Sequence, residues 1–157
     1  MRFVCSLIVV NDIETSRDFY ENLLGQKVEY DHGENVVFEG GFAIHLKEHY
    51  KSLLGQEHSR ILKKSNNFDL YFETDDIGGI FHKLKDTGVD LIHDIREQPW
   101  GQRVTRFYDP DHHIVEVGET MESVVLRYHD SGMSIEEISD RTFMPGKFVE
   151  MAVSKTG

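Results

Sequence analysis

Apolar and polar positions along this chain follow one pattern twice. Residues 3–10 form a short apolar run, ended by Asn11-Asp12, and residues 68–72 form a second, ended by Asp75-Asp76. Each run leads into helical spacing: Phe19, Tyr20, Leu23 and Leu24 in the first copy, Ile77, Ile80, Phe81 and Leu84 in the second. Such spacing puts the apolar residues on one face of a helix. Gly25 and Gly88 then stand where a left-handed residue closes a helix. Three β-rich segments follow in the first copy, at 27–31, 35–39 and 42–47. They are parted by His32-Gly33-Glu34 and Gly40-Gly41, which carry turn chemistry. The second copy predicts strands at 69–74, 90–94, 104–108 and 114–118 and a helix at 77–86, with Asp109-Pro110-Asp111 as the last turn.

The order strand, helix, strand, strand, strand therefore occurs twice. It predicts an α+β fold of two βαβββ modules, at residues 1–50 and 66–119, joined by a polar linker at 51–65. A short helix is expected within that linker, around residues 53–62. A module that cannot cover its own apolar face pairs with its copy, and chemistry is expected where the copies face each other. Residues 120–157 have no counterpart in the repeat. Helical patterns at 121–128, 134–140 and 147–153 predict a C-terminal helical extension. Ser134 and Glu137 form a capping box, and Pro145-Gly146 breaks the run.

Composition narrows the partners. A formal net charge of -11 argues against nucleic acid, which needs a cationic field. The string from Ser134 to Val149 looks like a helix-turn-helix but lacks the Arg and Lys density of a DNA reader. It reads as a lid or a buttress. The single cysteine, Cys5, excludes an intrachain disulfide. No apolar run reaches the length of a membrane span, and no signal peptide precedes residue 3, so the expected location is the cytoplasm.

Two strings carry a family resemblance. One is Asp12-Ile13 followed by Phe19-Tyr20 and Leu24-Gly25. The other is Trp100-Gly101-Gln102-Arg103, Phe107-Tyr108-Asp109-Pro110-Asp111 and Val115-Glu116-Val117. They resemble the vicinal oxygen chelate superfamily: glyoxalase I, bleomycin-resistance proteins, fosfomycin-resistance enzymes and extradiol dioxygenases. The resemblance implies paired modules forming a curved mixed-sheet cup, commonly completed across a homodimer. It also implies up to four ligands for one divalent metal (Zn, Ni, Mn or Fe), one on the first and one on the last strand of each module.

Registering the copies on Asp12 and Asp76 puts Cys5 opposite Asp69, and registering the last strands, residues 42–46 on 113–117, puts His45 opposite Glu116. These four are the candidate metal ligands. Each also has a bland reading. Cys5 suits a small buried residue, His45 a hydrogen-bonded pocket histidine, and Asp69 a turn end. Glu116 lies between Val115 and Val117, where an unpaired carboxylate is costly. It is expected to face a metal, a basic partner or a wet cavity, and it is the candidate catalytic acid–base group if the protein is an enzyme.

Arg106 is read as an exposed arginine, with a substrate anion or Glu116 as its alternative partner. Trp100 reads as a ligand-stacking residue or a plug at the cavity edge. His49 follows His45 by four residues. In a strand it is about 13 Å away, too far to share a metal. His112 and His113 read as turn surface.

The function expected is a binder of a small organic ligand, with His45, Trp100 and Arg106 as ligand-binding residues. Cys5 and Asp69 replace the family's usual first-strand histidine or glutamine, which argues against true glyoxalase I chemistry. The alternative is a metal-dependent lyase, isomerase or transferase acting on vicinal oxygens.

Overall fold

The computed structural model describes residues 1–55 and 60–155. The repeat is realised as two four-stranded mixed sheets with the same internal order. In the first module β1 (Ser6–Val10), β2 (Val28–Asp31), β3 (Asn35–Phe38) and β4 (Phe42–Leu46) lie in the order β1-β4-β3-β2. In the second, β5 (Asp69–Thr74), β6 (Leu91–Glu97), β7 (Arg103–Tyr108) and β8 (Ile114–Glu119) lie in the order β5-β8-β7-β6. Strands β1 and β4 run parallel, with Val9 opposite His45, and β2, β3 and β4 are antiparallel neighbours.

Helix α1 (Ile13–Asp18) runs on into a π-helical turn, Phe19–Leu23, with the wide-ring bond Leu24 N–H to Phe19 O at 3.3 Å. Asp12 caps α1 through Thr15 N–H at 2.7 Å. Helix α3 (Ile77–Asp86) follows β5 in the chain as α1 follows β1.

The linker helix comes earlier than its pattern suggests. Helix α2 spans Lys47–Leu54 and follows β4 directly. The rest of the helix expected at 53–62 is not found at 60–62, and residues 56–59 lie outside the described residues. The first strand also starts later than expected, at Ser6. Phe3 and Val4 stay exposed, and Cys5 is half-buried just ahead of the strand.

The extension forms α4 (Met121–Asp130), α5 (Ile135–Thr142) and α6 (Gly146–Ser154). The capping box at Ser134 and Glu137 is present. Val125, Ile138, Val149 and Ala152 make a small core of their own, flanked by Tyr128, Ile135 and Phe148.

The chain divides into two compact units. The first holds residues 1–70, 87–90 and 108–114, and the second holds 71–86, 91–107 and 115–157. The core of the first is aromatic. Phe38 stacks on Phe42 at 4.7 Å between ring centroids, and Tyr20 meets Phe42 edge-on at 5.1 Å. Such pairs add about 1 kcal/mol each beyond their buried area. The core of the second includes Leu84, Val104, Phe107, Val115 and Val124, all fully buried.

Candidate functional site on the second sheet

Glu116 has a basic partner. Its carboxylate forms an ion pair with the guanidinium of Arg106 on the neighbouring strand, and the Glu116 side chain is only 11% exposed. Arg106 is therefore not the free surface arginine that sequence favours. It is half-buried, and its Nη1 also lies 3.3 Å from His93 Nε2 on β6. This pairing resolves the cost of a carboxylate between Val115 and Val117.

Beside the pair runs a polar chain that sequence reasoning missed. Trp100 Nε1–H donates to Gln102 Oε1 at 3.0 Å. Gln102 Nε2–H donates to the Tyr71 hydroxyl and to Glu119 O, both at 2.7 Å. The Tyr71 hydroxyl donates in turn to Glu73 Oε1 at 2.8 Å. Burial, then the Glu73 bond, pushes the Tyr71 phenol up to about 12, with Glu116 adding to the rise. Tyr71 is therefore a neutral donor across the physiological range. A methyl on Gly118 would sit 3.0 Å from Gln102 Nε2 and 3.2 Å from the Tyr71 ring, so glycine there lets both approach the strand.

The loop carrying Trp100 is held by the extension. Arg127 on α4 donates to Gly101 O at 2.6 Å and to Glu119 Oε2 at 2.9 Å, and pairs with Glu97 at 3.2 Å. The Tyr128 ring covers Gly101, where a β-carbon would collide with its hydroxyl and ring edge. Gly101 also has a φ of +85°, so two constraints select glycine. The extension is thus a buttress of this loop.

The other candidates stand in the first unit. His45 is 7% exposed on β4, and burial lowers its pKa, with His49 adding to the fall and Glu34 opposing it. His49 is close to it, contrary to the expectation from a continuous strand. Because β4 ends at Leu46 and a helix begins at Lys47, the chain turns back. His45 Nε2 lies 2.9 Å from His49 Nδ1, and His49 Nδ1 lies 3.2 Å from Glu34 Oε2.

Cys5 precedes β1, four residues from the Val9 that faces His45, so the two stand about 13 Å apart along the strand direction. Asp69 is exposed at the start of β5. His112 and His113 are not turn surface. Both are half-buried, and His113 Nδ1 lies 2.8 Å from the fully buried Asp109 carboxylate.

The four candidate metal ligands are thus a carboxylate engaged by arginine, a histidine bonded to another histidine, an exposed aspartate and a cysteine outside its strand. Among the described residues, no group of three or more His, Cys, Asp or Glu side chains is arranged to hold a metal ion. As placed, this donor set does not fit a divalent metal.

Fold and sequence agree on the class: a repeated βαβββ protein. Residues 3–122 match the glyoxalase-like domain family, and the chain belongs to that family. It is similar to a protein of unknown function from Agrobacterium tumefaciens, at 41% identity and a TM-score of 0.67, covering 76% of this chain and 94% of that one. A glyoxalase/bleomycin resistance protein/dioxygenase superfamily member from Sphaerobacter thermophilus is 28% identical, with a TM-score of 0.58, over 76% and 98% of the two chains. The uncharacterized protein YraH of Bacillus subtilis is 27% identical over 74% of this chain and 97% of its own length. No described helix is long and apolar enough to cross a membrane.

Proposed function

We propose that this protein binds a small organic molecule, without a resident metal, on the sheet face that carries Trp100, Tyr71, Gln102, Arg106 and Glu116. The carrying observation is the Arg106–Glu116 pair. At a position where the resemblance implies a metal ligand, the carboxylate already has a cation. A ligand meeting this face finds Trp100, a residue 37% exposed, next to donors and acceptors of both signs. That suits a flat polar molecule stacked on the indole and bonded along its edge. The protein acts in the cytoplasm as a homodimer, the family's common way of completing a cup.

Titration of chelator-treated protein with zinc, nickel and manganese tests the metal-free reading. The expected result is no saturable binding that depends on Glu116. Stoichiometric binding that Glu116→Gln weakens more than Cys5→Ser does overturns it.

The second reading is a divalent-metal-dependent lyase, isomerase or transferase. Its support is the His45–His49 pair, two imidazole nitrogens 2.9 Å apart. Further donors would come from elsewhere in an assembly. Metal binding abolished by both His45→Ala and His49→Ala selects it.

A further inference from the structure

The first unit contains a cavity of about 530 Å³, within the range of small-molecule sites. None of Trp100, Tyr71, Gln102, Arg106 and Glu116 lines it. Two unusual backbone features meet in its wall. One is the π-helical turn, whose residues Phe19, Asn22 and Leu23 line the cavity. Inserting a residue into a helix weakens its bonding, and such insertions cluster at functional sites. The other is His112, which lines the same cavity at a φ of +65°. A left-handed conformation disfavours a residue with a β-carbon, and glycine or asparagine would adopt it more readily. Its Nδ1 is buried and takes no hydrogen bond from any described residue. Two local distortions, 89 residues apart in sequence from Leu23 to His112, thus shape one cavity.

Its chemistry has a sign. Asp18 and Asp90 stand exposed at the rim, and no lysine or arginine is among the described lining residues. Asp109 also lines it, but its carboxylate is engaged by Tyr20 and His113. The floor is apolar, with Phe19, Leu23 and Val89, and Tyr108 adds an aromatic ring. That ring already carries an ammonium: Lys64 Nζ stands 5.0 Å from its centroid. Asp18 accepts one bond from the Asn22 amide at 2.5 Å and keeps its charge. An aromatic ring and two carboxylates in one cavity therefore favour a cation by cation–π and Coulomb attraction together.

We infer that this cavity is a second ligand site, taking a small organic cation whose charged head meets Asp18, Asp90 and the Tyr108 ring while its apolar body rests on Phe19 and Leu23. It is independent of the second-sheet site.

The test is an amide-resolved NMR titration of the whole protein at low salt with phenyltrimethylammonium, and with benzoate as the anion of similar size. The expected result is saturable shifts at Leu23, Val89 and Tyr108 with the cation alone. Replacing both rim carboxylates (Asp18→Asn with Asp90→Asn) is expected to weaken binding about fivefold or more. Both side chains are exposed, so the fold is retained. Lys64→Ala is expected to leave affinity unchanged or to raise it, because a competing ammonium is removed. Absence of saturable shifts with the cation, equal binding of benzoate, an unaltered affinity in the double variant, or shifts confined to Tyr71 and Trp100 overturns the inference.

Discussion

The hydroxyl of Tyr20 donates to the carboxylate of Asp109 at 2.9 Å, with both groups buried. Tyr20 belongs to the π-helical turn of the first module and Asp109 to the turn before the last strand, 89 positions later. Asp109 accepts three further bonds, from the Asp111 and His113 amides at 3.0 and 2.7 Å and from His113 Nδ1 at 2.8 Å. Burial, with Asp109 beside it, pushes the Tyr20 phenol well above its ordinary range, so it remains a donor. Tyr20→Phe removes one of four bonds and is expected to lower stability by about 1–2 kcal/mol. Asp109→Ala strands all four donors and is expected to cost about 3 kcal/mol or more. Urea unfolding of the two variants, read against wild type, checks the ranking.

The Arg106–Glu116 pair makes a different prediction. Arg106→Met leaves a nearly buried carboxylate without its cation, and a loss of about 2 kcal/mol is expected. Adding Glu116→Leu to that variant removes the orphaned charge. The double variant is expected to recover most of the loss. A double-mutant cycle by chemical denaturation measures the coupling. Independent, additive losses would show that the pair contributes nothing as a pair.

His45 sets a pH dependence whose sign is fixed by its surroundings. Its folded pKa is lowered, so protonation favours the unfolded chain. The neutral form's advantage is complete above the unfolded value of about 6.5 and is lost as pH falls from there through the lowered folded value. Wild type is expected to lose stability between pH 7.5 and 5, and His45→Gln to lose less over the same interval. Thermal unfolding of both proteins across that interval gives the difference, which isolates His45 from the other eight histidines.

Removing the C-terminal extension is expected to destabilise the second unit. Arg127 alone bridges Glu119, Gly101 and Glu97, and its side chain is 23% exposed. Arg127→Ala is expected to cost about 1–3 kcal/mol, because among the described residues it leaves the nearly buried Glu119 carboxylate with only the Arg103 amide. Truncation before Met121 is expected to cost more, and calorimetry compares the two. A truncated protein that melts like wild type would make the extension an independent module.

The repeat was legible because its signals are local: short apolar, β-rich runs marked the strands, three-and-four spacing the helices, and glycine the ends. The capping box at Ser134 was legible for the same reason. His49 was misplaced because α2 starts directly after β4, with Leu46 at the capping position and no side-chain bond to announce it. Glu116 was picked out by its apolar neighbours, and Arg106 was named as one of its possible partners. Tyr71 and Gln102 were not found. Their bond spans 31 residues, and neither position breaks a local pattern. The Tyr20–Asp109 bond was equally hidden, since an aspartate before proline is already explained by the turn it forms.

Trp100 is the chain's single tryptophan, so the loop braced by Arg127 and Tyr128 carries its own optical label. Its indole is partly exposed and bonded to Gln102, and both conditions depend on where α4 holds Gly101. Emission wavelength and quenching by iodide therefore report the docking of the C-terminal helices without any added probe. A ligand stacking on the indole shields it from iodide, whereas release of the helices leaves it more open. One fluorescence experiment on the unmodified protein thus separates occupancy of the sheet face from detachment of its brace.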